Sequence, residues 1–200
     1  MSLVELIAQA DERGLAASGL ACLDRCVPLL GGEDDVLRPL WASLADGDLW
    51  GDWGARVTKV RGELGVGDVE GEGGGFGGGA VEDEAALLAR RMLAAVPGER
   101  SPGALREWAD ACSVAALRIH RLLDPMARRT EAGGTSVTAR REGRTEGMSP
   151  LVAAELRRQV IVLELLAGHG ANGVRQALDV STEGRRVLRA VVSRRARGKV

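Results

Sequence analysis

Tyrosine is absent from this 200-residue chain, Phe76 is its only phenylalanine and Asn172 its only asparagine. Lysine occurs only at Lys59 and Lys199, and histidine only at His120 and His169. GC-rich codons produce such a pattern, so the general use of Arg for Lys carries no functional weight, although each guanidinium keeps its planar fork. Scarce aromatics remove the stacking groups on which single-strand nucleic-acid binders rely. Two histidines leave little for metal or triad chemistry, and neither G-x-S-x-G nor H-E-x-x-H occurs. No apolar run approaches the roughly 18 residues of a membrane span. The start, Met1-Ser2-Leu3-Val4-Glu5, has no basic stretch followed by an apolar one, and a cytoplasmic protein is expected.

What is present is an ordinary globular balance, 45% apolar and 28% charged, in a chain long enough to bury about 70% of its surface without a disulfide or metal. The net charge of −1 conceals an asymmetry: residues 1–80 carry 14 acids and 6 bases, residues 126–200 carry 7 acids and 15 bases. Such halves can attract each other or face different partners.

Apolar residues recur at three and four, which is helix spacing, and the fold class is all-α, a bundle of about eight helices with a short α-solenoid as the alternative. The first segment, 1–64, holds four helices. Ser2 and Glu5 form a capping box for the first, which Gly14 ends. The second runs from Leu15 to Leu30 and is closed by Pro28 and Gly31-Gly32. A third contains Leu40, Trp41 and Leu44, with Pro39 tolerated only in its first turn, and a fourth carries Trp53, Val57, Val60 and Leu64. Residues 65–80 are so rich in glycine that they read as a flexible linker. Residues 81–125 form a helical pair, too small to bury its own faces and therefore docked on the rest, the second member opening at Ser101-Pro102. Residues 126–148, with scattered Arg, Thr and Gly, read as a second linker. In 149–200 a helix from Ser149-Pro150, apolar on more than one side, is the expected centre of the bundle. A short segment with Val174 and Leu178 follows, and Ser181 caps a basic last helix.

The candidates for chemistry are few. Gly73 to Gly78 match G-x-G-x-x-G, but with no strand before them and with acids around them the tract reads as linker. Cys22 and Cys26 stand four apart, a metal-ligand spacing that Cys112 could extend, yet both fall on the core side of their helix and read as small buried hydrophobes. His120 lies at the edge of an apolar stripe and His169 between glycines, both without ligands or triad partners at a recognised spacing. The carboxylates sit at helix starts or in linkers. No cofactor or metal is implied.

Two groups remain as partner surfaces. Trp41, Trp50 and Trp53 bracket one loop, and Trp is enriched at binding hot spots, against the ordinary reading of core packing. Arg56 is placed to stack on Trp53. Arg186, Arg189, Arg194 and Arg197 line one side of the last helix, extended by Arg195 and Lys199. That face suits an acidic protein surface, including this chain's own first half, better than a membrane. Spacing of the helix-turn-helix kind, with its turn at Asp179, fails because Arg175 and Arg185 fall where small and apolar residues are required. The expectation is a non-catalytic regulatory or adaptor protein with an unidentified protein partner, ahead of a nucleic-acid-binding regulator and a small enzyme.

Overall fold

A computed structural model describes residues 1–46, 49–65, 80–126 and 136–198, apart from the side chains of Leu49 and Trp50. These residues form an all-α bundle without a strand among them. No helix among them is long and apolar enough to cross a membrane.

Helix α1 spans Leu3–Gln9 and opens with the expected capping box: Glu5 N–H donates to Ser2 Oγ at 3.3 Å and Ser2 N–H to Glu5 Oε2 at 2.7 Å. It stops earlier than expected, because Asp11 starts a new helix. The Asp11 carboxylate accepts from Gly14 N–H at 2.7 Å, so Gly14 lies inside α2, Glu12–Cys26, and terminates nothing. Pro28 has no N–H to extend α2, which tightens into a single 3₁₀ turn at Val27–Leu29 before Gly31 takes the left-handed conformation. Helix α3 is Arg38–Ala45, with Pro39 in its first turn, and α4 is Trp53–Glu63 after a single turn at Leu49–Asp52. Then come α5, Ala80–Ala94, and α6, Pro102–Leu123, the latter capped by Ser101 Oγ.

The centre of the bundle is α2, not the helix beginning at Ser149-Pro150. Every residue from Gly14 to Cys26 is buried. Six of these are Gly, Ala or Ser within eight positions, which lets neighbouring backbones approach closely. At Gly19 an added Cβ would stand 2.6 Å from the Trp108 ring, so α6 lies directly against α2 there. The other helices packed on α2 are α8, Pro150–His169, and α9, Gly173–Arg197. Since α2 touches helices from distant parts of the chain, the solenoid alternative, in which a unit meets only its neighbours, does not describe the fold.

Residues 66–79, most of the first expected linker, lie outside the described residues, and so do 127–135. Residues 136–148 depart from the expected second linker. Ser136 Oγ accepts from Ala139 N–H at 3.1 Å and starts a short helix α7, Val137–Arg141, with Val137, Ala139, Arg140 and Arg141 all buried. Its arginines, which looked like marks of a solvated loop, are what fasten it. Arg141 pairs with Asp110 and donates to Ser113 Oγ at 3.0 Å, while Arg140 donates to the Arg144 and Glu146 carbonyls.

Residues 173–197 also differ from expectation. They make one continuous helix, so there is no turn at Asp179, and Ser181 is a buried mid-helix residue whose hydroxyl donates to the Ala177 carbonyl at 3.0 Å.

Candidate functional site

The strongest concentration of titratable groups is a polar network inside the bundle, where the sequence reading expected none. Arg25 on α2 grips Glu155 on α8 with two parallel bonds of 2.7 Å, from Nε to Oε2 and from Nη2 to Oε1. This is the bidentate geometry that only a guanidinium supplies. Both side chains are 0% exposed. Gln159 Nε2 donates to Glu155 Oε1 at 2.8 Å, and Ser113 Oγ donates to Gln159 Oε1 at 2.6 Å, carrying the network to Arg141 and Asp110 at the rim. Arg25 also reaches Cys22 Sγ at 3.4 Å and Ser181 Oγ at 3.5 Å. Gly184 makes room for the arginine stem: a Cβ there would fall 2.4 Å from Arg25 Cδ.

Electrostatics keep this pair ionised. Burial raises the Glu155 pKa, but the Arg25 charge and hydrogen bonds outweigh it and the net direction is down. Burial opposes the charge on Arg25 too, and the Glu155 carboxylate more than restores it. His120, 1% exposed, donates from Nδ1 to the Ala116 carbonyl at 2.7 Å and turns Nε2 toward Glu155 Oε2 at 3.5 Å. Its pKa is lowered, chiefly by burial. The Glu155 charge pulls the other way, but it is already compensated by Arg25 and cannot hold a second cation.

This gives a stability prediction. In the unfolded chain His120 takes up a proton near its ordinary 6.5, whereas in the folded protein it does so only at lower pH. Between those values the unfolded state binds the extra proton, so stability is complete above pH 6.5 and falls as pH drops through and below it. Urea melts over that range should show the decline in the native protein and a smaller one in His120→Gln. Equal slopes would place the sensitivity elsewhere.

The other expected site residues are dispersed. Trp41 and Trp53 are 2% and 1% exposed, so neither offers a hot spot; the side chain of Trp50 lies outside the described residues. Trp53 meets Trp108 edge to face with centroids 6.5 Å apart, and its Nε1 donates to the Pro97 carbonyl at 2.8 Å. Together with Trp108 Nε1 on the Met92 carbonyl, and Arg61 on the Leu93, Ala94 and Val96 carbonyls, it satisfies the open C-terminal end of α5. Arg56 donates instead to the Pro39 carbonyl at 3.1 Å.

Cys22, Cys26 and Cys112 are buried free thiols, as their helical positions indicate. Burial pushes the Cys22 thiol up to about 12 and the other two well above their ordinary range, so all three stay protonated. Among the described residues no group of three His, Cys, Asp or Glu is arranged to hold a metal. His169 is exposed at the end of α8, and Gly73 to Gly78 lie outside the described residues.

The basic face of α9 divides in two. Arg189 pairs with Asp34, and Arg195 Nε meets Glu82 Oε1 at 2.7 Å. Arg185 is buried against Asp24 and sits 3.6 Å from Asp34. The acidic segment 1–80 and the basic segment 126–200 therefore attract each other through Asp24, Asp34, Arg185 and Arg189. Arg186, Arg194 and Arg197 are exposed, with no ion pair among the described residues.

An apolar groove of about 390 Å³ runs between α5 and α6 on the outer face. Met92, Trp108 and Cys112 form its floor, Leu88, Val114 and Ala115 its walls, and Arg91 and Arg118 stand exposed beside it. Neither arginine makes an ion pair among the described residues. No protein-family model, no curated protein and no solved structure matches the chain.

Proposed function

We propose that this chain is a non-catalytic, cytoplasmic regulatory or adaptor protein whose partner lays an acidic amphipathic helix in the α5–α6 groove. The groove itself carries the reading. It is apolar, bounded by two helices as helix-in-groove sites are, and its two unpaired guanidiniums favour carboxylates at the edges of the incoming helix. Leu87, 42% exposed on α5 beside the groove, adds apolar surface. The sealed character of the Arg25–Glu155–His120 network supports binding over catalysis, because a substrate cannot reach groups 0–1% exposed. The pairing of Arg185 and Arg189 with acids of residues 1–80, and of Arg195 with Glu82, supports a protein partner over nucleic acid, since those charges are already compensated.

The test is capture from native cell extract with the full chain and with Arg91→Glu/Arg118→Glu. Both positions are exposed, so the double variant should melt as the native protein does. The prey retained by the native chain should fall by about tenfold or more on charge reversal, and Arg194→Ala/Arg197→Ala should retain it in full. Equal capture by the Arg91/Arg118 variant would refute the groove as the interface.

A further inference from the structure

Helix α5 carries both a ridge and one wall of a groove, and the charges on its outer face are arranged symmetrically about its own middle. Val81, Glu84, Leu87, Leu88, Arg91 and Ala94 recur at three and four, so they share one face of the helix, and all are exposed or half-exposed. About a point midway between Leu87 and Leu88, Glu84 and Arg91 occupy mirror positions, as do Val81 and Ala94. At a rise of about 1.5 Å per residue, Glu84 and Arg91 stand about 5 Å to either side of that point along the axis. Neither makes an ion pair among the described residues. Leu87, 42% exposed, is the ridge, and Leu88, the next residue, stands in the wall of the groove floored by Met92 and Trp108.

We propose that the helix received by the α5–α6 groove is α5 of a second copy of this chain, in a two-fold dimer that sets Glu84 of each copy on Arg91 of the other and Leu87 on Leu88. The proposal rests on the helix-in-groove reading above and names the helix. A partner for this rim needs an acid opposite Arg91 and a base opposite Glu84, with apolar side chains between them. Read in reverse, α5 supplies that order itself. Charge also selects the orientation: two copies of α5 laid parallel put Glu84 on Glu84 and Arg91 on Arg91, whereas antiparallel packing about the midpoint makes both attractive pairs at once. The same operation seats the Leu87 ridge of each copy against the groove wall of the other, so both grooves are covered together. Glu82 takes no part, because Arg195 of its own chain already holds it at 2.7 Å. The contact is isologous, so it closes at two copies and leaves no open end from which a filament could grow.

Sedimentation velocity of the full chain at about 100 µM, above the micromolar Kd at the weak end of specific interfaces, should give twice the monomer mass of 21.0 kDa. Glu84→Arg and Arg91→Glu each set like charges across the two-fold axis, and each should raise the dimer Kd about a hundredfold. Both positions are exposed, so circular dichroism should show native helix content in either variant. The double variant Glu84→Arg/Arg91→Glu restores both pairs with their signs exchanged and should dimerise as the native chain does. An equimolar mixture of the two single variants should form a heterodimer, since one then carries only bases and the other only acids at these positions. A native chain that stays monomeric at about 100 µM, or a dimer that both single variants retain, would overturn the proposal. The groove reading itself is decided separately by the capture experiment: a monomeric native chain that loses its prey on Arg91→Glu/Arg118→Glu keeps the groove and removes only the second copy as its occupant.

Discussion

Glu155→Ala should destabilise the protein by about 3–5 kcal/mol, because Arg25 would remain 0% exposed with its charge uncompensated. Glu155→Gln keeps the volume but loses the charge and should also be strongly destabilising. Replacing both partners, as in Arg25→Met/Glu155→Leu, should recover much of the loss, since an apolar pair of similar volume needs no desolvated charge. Urea denaturation of the four proteins decides the matter through their midpoints. A midpoint for Glu155→Ala within about 1 kcal/mol of the native protein would mean that water reaches Arg25 and that the pair is worth no more than a surface ion pair.

The second large effect is expected at Trp108. Its ring fills the space opposite Gly19, packs edge to face with Trp53 and is 3% exposed, while its Nε1 holds the Met92 carbonyl at 3.0 Å. Trp108→Ala should cost about 3–5 kcal/mol through the cavity and the open carbonyl together. Trp108→Phe, which keeps part of the ring but loses the N–H, should cost distinctly less. If thermal melts give equal losses for the two, the hydrogen bond to α5 and not the ring volume is the dominant contribution. Because Trp108 also floors the α5–α6 groove, neither variant serves as a control for partner binding.

Local signals were legible in the sequence wherever neighbouring residues alone determine the outcome. The Ser2–Glu5 box, Ser101-Pro102, Ser149-Pro150 and Pro28 all mark helix ends close to where they fall, and the core-side placement of Cys22 and Cys26 follows from spacing. Signals that depend on distant partners were not. Glu155 among Leu151, Val152 and Leu156 reads as an ordinary polar position, and nothing local indicates that Arg25 meets it from 130 residues away. Arg141 is hidden from a sequence reading for the same reason: without Asp110 and Ser113 in view, a basic stretch looks solvated. A usable sign did exist for α2, whose run of Gly, Ala and Ser indicates close approach on all sides. Judging centrality by apolar content alone favoured α8 instead.

The burial of α2 also governs when the protein can finish folding. Its polar contacts lie 130, 156 and 161 residues further along, at Glu155, Ser181 and Arg185. Chain synthesis proceeds at about 5–20 residues per second, so a segment made at the outset waits on the order of ten seconds or more for its partners to emerge. Throughout that interval α2 carries an unmatched cation at Arg25 and lacks the α8 and α9 faces that bury it. The nascent chain is therefore a natural client for a holding chaperone, and truncations upstream of Arg185 should accumulate as aggregates rather than as shorter folded domains.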